Sequence, residues 1–201
     1  HTWMEDESEE RYPPAESKPT VKGGGLKFSS LFEAAEKNEV NVLAQYIESG
    51  EDIDGEDDIG NTALHYAAGS GALEACTYLL GRGANPNAVN QWGFVPLFSA
   101  IKNDHLNVVE LLLRDASNIH LTTLTGDSAI HLACYTDNVE MWMTVLLAGG
   151  WKDVFKCNHD GVSPVLIAER QGFEAGFREV AQELKEKAEA EEQAKRDYEL
   201  K

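Results

Sequence analysis

Six histidines, three cysteines and a dense run of acids are the residues of this chain that could do chemistry. The run Glu51-Asp52-Ile53-Asp54-Gly55-Glu56-Asp57-Asp58 holds six carboxylates in eight residues, the donor type that hard cations take. A calcium loop opened at Asp52 needs Gly at its sixth position and Glu at its twelfth. Those positions hold Asp57 and Ala63, so the run reads as a solvated acidic loop. Histidine can serve as base, proton shuttle or ligand. His65 and His131, however, stand in matching contexts (Leu-His-Tyr-Ala and Ile-His-Leu-Ala), and recurrence points to a structural duty. Cys76 and Cys134 lie among small and apolar neighbours, the setting of inert buried thiols. Cys157, two residues before His159, is the thiol best placed to react, and the reading of an ordinary loop cysteine prevails. No His-Glu-x-x-His pair, no motif-placed nucleophile and no Lys-Ser/Thr after Gly23-Gly24-Gly25 is present. The expectation is a non-enzyme with no metal or cofactor.

The balance of charge narrows the partners. The chain has 201 residues, 42% of them hydrophobic, and a formal charge of −18. Nucleic-acid binders need a basic stripe for the phosphates, and anionic membrane surfaces also call for basic residues. No apolar run reaches the roughly 18–20 residues of a membrane span. The charge leaves a basic or apolar partner open. Three cysteines at irregular spacing form no disulfide framework. They suit a reducing compartment: the cytoplasm, or an organelle stroma or matrix if His1 marks removal of a presequence.

Chemistry gives way to repetition once the spacings are compared. Leu31, Leu64, Leu97 and Ile130 follow one another at 33 residues, and Val165 at 35. Gly60, Gly93, Gly126 and Gly161 keep the same interval. Five units result, over about 28–56, 57–89, 90–122, 123–157 and 158–190. Each reads as a polar turn, a small-residue helix and a second, more apolar helix ended by Gly or another small residue. Such short helices are marginal alone, and stacking buries them in one nearly one-dimensional core. Before the units, residues 1–25 read as an acidic, Pro/Gly-containing tail. After them, Phe173, Phe177, Val180, Ala181 and Leu184 form a helical stripe. The spacing predicts a capping helix with a charged extension over 173–201.

The residues Gly60-Asn61-Thr62-Ala63-Leu64-His65-Tyr66-Ala67-Ala68, then Gly71, Leu79-Leu80 and Gly83-Ala84-Asn85-Pro86-Asn87-Ala88, resemble the ankyrin repeat. Gly126-Asp127-Ser128-Ala129-Ile130-His131-Leu132-Ala133 repeats the motif. The resemblance implies an all-α solenoid over 26–172, built of helix-turn-helix units with projecting β-hairpin fingers. The first unit lacks the motif and suits an N-terminal cap. In the family the motif histidine ties adjacent fingers by hydrogen bonds.

The resemblance also implies protein binding through finger tips and the exposed face of each first helix. Carried over position by position, the contact set is Ile59, Tyr66, Gln91, Trp92, Phe94, Lys102, Leu124, Asp127, Tyr135 and His159, with Trp151 from the lengthened fourth unit. Tyr66 also suits packing inside its unit. Trp92 reads either as an exposed anchor or as a cover for a neighbouring finger, and Phe94 is expected to be exposed. The insertion around Trp151 is either an aromatic clamp or a neutral loop. A scaffold or adaptor is the leading expectation. The alternatives are an accessory subunit of a multiprotein complex and a chaperone or targeting factor for an apolar client.

Overall fold

A computed structural model describes residues 30–114, 117–136 and 138–199, with side chains to residue 196. The expected tail over 1–25 lies outside the described residues. Helices alternate short and longer: α1 (Leu31–Glu36), α2 (Val40–Glu48), α3 (Ala63–Gly69), α4 (Leu73–Gly81), α5 (Pro96–Lys102), α6 (Leu106–Arg114), α7 (Ala129–Cys134), α8 (Val139–Leu147), α9 (Pro164–Gln171) and α10 (Glu174–Glu199). A 3-10 turn, Gly150–Asp153, follows α8.

The odd-numbered helices stack into an inner layer, and the longer ones pack behind them. Alanine recurs where inner helices meet: Ala34, Ala67, Ala100, Ala133 and Ala168 are fully buried. A methyl group lets neighbouring backbones approach and leaves no void to fill. Larger residues fill the space between layers, among them Leu43, Leu79, Leu112 and Leu146, all fully buried. Pro96 and Pro164 open α5 and α9, where a missing N–H costs nothing. Asn38 and Asp104 turn the chain between paired helices at φ 59. Asparagine and aspartate tolerate that left-handed conformation, and each is tied to the next repeat. Asn38 Oδ1 accepts the Ala75 N–H at 2.8 Å, and Asp104 Oδ1 accepts from Asn138 Nδ2 at 2.8 Å.

The far end is closed by aromatic rings. Trp142 of α8 stacks on Phe173 at 5.5 Å and meets Phe177 edge-on at 5.6 Å. Phe177 and Ala181 bury one face of α10, with Val180 and Leu184 half-buried beside them. Beyond Leu184 the helix keeps only Ala188 partly covered among its described side chains, and pairs such as Lys185–Glu189 lie along its surface. Its first half covers the stack and its second half projects.

Candidate partner-binding surface

Each finger is one tight turn rather than an extended hairpin. A single bridging pair, Thr122 with Ser128, marks strand-like pairing among the described residues. The turn is built by a polar residue three positions before the recurring Gly: Asp57, Asn90, Thr123 and Asn158. Asn90 Oδ1 accepts the N–H groups of Trp92 at 3.0 Å and Phe94 at 2.9 Å, while the Asn90 N–H donates to Phe94 O. Asp57 and Asn158 do the same in their fingers. Short polar side chains imitate a backbone turn in this way. This row was not recognised from the sequence, although its fixed offset from Gly at the 33-residue period is a readable signal.

Backbone hydrogen bonds then join finger to finger. Gln91 N–H donates to Ile59 O at 2.9 Å, Leu124 N–H to Trp92 O at 3.1 Å, and His159 N–H to Thr125 O at 2.9 Å. Side chains reinforce two of the junctions: Asn90 Nδ2 donates to Asn61 Oδ1, and Asn158 Nδ2 to Asp127 Oδ1. A second ladder runs beneath. Asp54 Oδ1 accepts the Asn85 N–H, Asn87 Oδ1 the Asn118 N–H, and His120 Nδ1 meets Asp153 Oδ2 at 2.8 Å. The buried Asp153 carboxylate also pairs with Lys156 at 2.5 Å. Where the fourth unit is lengthened, an imidazole–carboxylate contact thus replaces a side chain–amide rung.

The two motif histidines close the network. His65 Nδ1 accepts the Thr62 N–H at 3.1 Å, so its Nε2 carries the proton that it gives to Phe94 O at 3.0 Å. His131 repeats this with Ser128 and Val162. Burial, more than any neighbour, lowers the His65 pKa to about 4, and it lowers that of His131 as well. A histidine depressed below its unfolded value of about 6.5 contributes its full stability above that value and loses it as pH falls toward the folded one. His65 alone should therefore cost ~2 kcal/mol between pH 7 and 5. Urea unfolding at the two pH values checks this: His65→Gln should flatten the slope. An unchanged slope would reject the burial argument.

Several expected contact residues are not at the surface. Phe94 is 6% exposed and meets Phe98 edge-on at 6.0 Å, which corrects the expectation of an exposed ring. It stands at the base of its finger, where the chain enters α5. Phe98 occupies the position held by His65 and His131, so this junction is aromatic where the others are polar. Tyr66 is also buried, its hydroxyl donating to Asp57 Oδ2 at 2.7 Å. Asp127 is fully buried, accepting from Thr125 and Asn158. These three hold the array together and offer no contact surface. Trp92 and Trp151 are half-buried and pack against the core. Ile59 is half-buried.

Two rows remain on the surface. The finger row carries Gln91, Leu124 and His159, all exposed, with Leu124 at 66%. The inner-helix row carries Lys102 and Tyr135 at equivalent ends of α5 and α7, and Arg170 follows on α9. Cys76 and Cys134 are buried; desolvation pushes the Cys76 thiol up to about 12 and raises Cys134 too. Thiols held neutral are poor nucleophiles. Cys157 is exposed. Among the described residues no group of three or more His, Cys, Asp or Glu could hold a metal ion. No described helix is long and apolar enough to cross a membrane.

A stack of short helix pairs with hydrogen-bonded fingers and a motif histidine between them defines a repeat solenoid. Residues 31–123 match the family model for ankyrin repeats in three copies, and this stretch of the chain is built of ankyrin repeats. It is 36% identical over 110 residues to the B-cell lymphoma 3 protein homolog of Mus musculus, covering 54% of this chain and 24% of that protein. A second relative is the transient receptor potential cation channel subfamily A member 1 of Homo sapiens, 36% identical over 54% of this chain and 10% of its own length. The mitochondrial glutaminase liver isoform of Mus musculus is 31% identical over 61% of this chain and 21% of its own. The chain thus spans at most about a quarter of these relatives. Ankyrin repeats are general protein–protein interaction modules.

Proposed function

We propose that this chain is a non-enzymatic scaffold or adaptor whose fingers and inner-helix ends hold a segment of a partner protein. The observation that carries the reading is Leu124. Its side chain is 66% exposed, yet its backbone N–H is fixed to Trp92 O of the preceding finger. An exposed apolar side chain on a fixed backbone gives up less entropy on binding than one on a mobile loop. Tyr135, 42% exposed at the end of α7 in the same unit, adds an amphipathic ring of the kind that anchors interfaces. A partner segment lying along both rows would seat an apolar residue on Leu124 and Tyr135.

Bait experiments in native extract test this reading. Crosslinked partners recovered with the wild-type chain should be lost with Leu124→Asp/Tyr135→Ser, a loss of about 2 kcal/mol or more in affinity. Circular dichroism should show an unchanged fold. Undiminished capture by the double variant would remove these residues from the interface. Permanent co-purification at fixed stoichiometry would favour an assembly subunit over an exchanging adaptor.

A further inference from the structure

The fourth outer helix departs from its siblings along a stripe whose two ends stand exposed and whose centre, Met143, also packs against the core. In α8, Val139, Met143 and Leu147 recur at i, i+4 and i+8, so they share one side of the helix. Val139 is 58% and Leu147 64% exposed, with Met143 half-buried between them. The equivalent positions one repeat earlier, on α6, hold Leu106, Glu110 and Arg114; two repeats earlier, on α4, they hold Leu73, Thr77 and Gly81. The third unit therefore folds with charges where the fourth carries Met143 and Leu147. Packing of the repeat does not demand apolar residues there.

We infer that the outer face of α8 is a second docking surface, which takes one amphipathic helix of a partner protein with basic residues at the end lying over Val139. This goes beyond the finger surface, because it uses the opposite layer of the stack. The stripe covers eight residues of rise, about 12 Å, or a little over two turns of a partner helix. Charge selects the occupant. Glu140 stands next to Val139, Asp104 is bonded to Asn138 at the same end, and Glu110 lies on the neighbouring α6; all three are exposed. A second copy of a chain with formal charge −18 would meet this acidic end with further acid. A basic-ended helix is attracted to it. Met143 adds an unbranched side chain that adapts to varied apolar partners.

The probe is a fluorescein-labelled synthetic helix with leucines at i, i+4 and i+8 and lysines at one end, titrated with the full chain by fluorescence polarisation. Two control peptides carry the same leucines scrambled around the helix, or glutamates in place of the lysines. Wild-type protein should bind the lysine peptide at least about ten-fold more tightly than either control, which corresponds to ~1.4 kcal/mol. Met143→Glu/Leu147→Arg, which copies the third unit and so should fold, should erase that preference. Leu124→Asp should leave it intact, separating this surface from the fingers. Equal binding of scrambled and patterned peptides, or no effect of the copied pair, overturns the proposal. Concentration-dependent dimerisation in sedimentation, abolished by the same pair, would instead assign the face to a second copy. Equal binding of the glutamate peptide would remove the charge argument.

Discussion

Gly93→Ala should destabilise this protein by about 2–3 kcal/mol, near the upper range for a single small substitution. Two costs combine. Gly93 has φ +78, where a non-glycine residue costs roughly 1–2 kcal/mol. An added Cβ would also lie 2.6 Å from Leu124 N and 2.9 Å from Thr123 C. Those are backbone atoms, so the Leu124–Trp92 hydrogen bond must stretch or the third and fourth fingers must part. Gly83→Ala is the matched control. Its φ is +90, but a Cβ there meets nothing within 4 Å. Chemical denaturation of both variants separates strain from close approach, and Gly83→Ala should lose only about 1 kcal/mol. Equal losses would show that the finger ladder yields without cost. Gly93→Ala should also blunt partner capture, since Leu124 is positioned through the bond that this methyl group disturbs.

Phe177→Ala should cost more, roughly 3–5 kcal/mol. The ring is fully buried, and its removal opens a cavity beside Trp142 of α8. It also removes edge-on contacts to Trp142 and Phe173, at 5.6 and 6.0 Å, each worth ~0.5–1.5 kcal/mol beyond area. The loss should be local, because repeats touch only their neighbours. Hydrogen exchange should accelerate in α9 and α10 and remain slow in α3 to α5. Uniform acceleration along the stack would mean that the array melts as one unit, and that α10 is not a separable cap.

The histidine variant and the two surface tests address different layers of the molecule. His65 is expected to move stability with pH and to leave binding selectivity alone. Leu124 and Tyr135 are expected to do the reverse, and Met143 with Leu147 should alter recognition on the other face. Separable effects follow from the geometry. The buried histidine bonds to a carbonyl at the base of a finger, whereas the exposed leucine is held only through its backbone.

Repetition made most of this fold legible before any coordinates. A 33-residue interval in Leu and Gly, with the motif His returning at twice that spacing, places five units, because each repeat solves the same packing problem with similar residue types. The aromatic stripe from Phe173 likewise announced a capping helix, since spacing alone puts those rings on one side. What the sequence could not decide was which way individual side chains face at a finger. Phe94 follows a turn glycine and Leu124 stands two residues before one, yet one is 6% and the other 66% exposed. That difference follows position in the finger: Asn61 and Asp127, equivalent to Phe94, are also buried, whereas Asp58, Gln91 and His159, equivalent to Leu124, are exposed. Tyr66 and Asp127 were drawn inside by hydrogen bonds to Asp57 and Asn158, partners 9 and 31 residues away. The sequence by itself determined the repeat and its period, both local and periodic properties. Only the tertiary structure decided which residues remain for a partner, because exposure at a finger is set by the repeat next door.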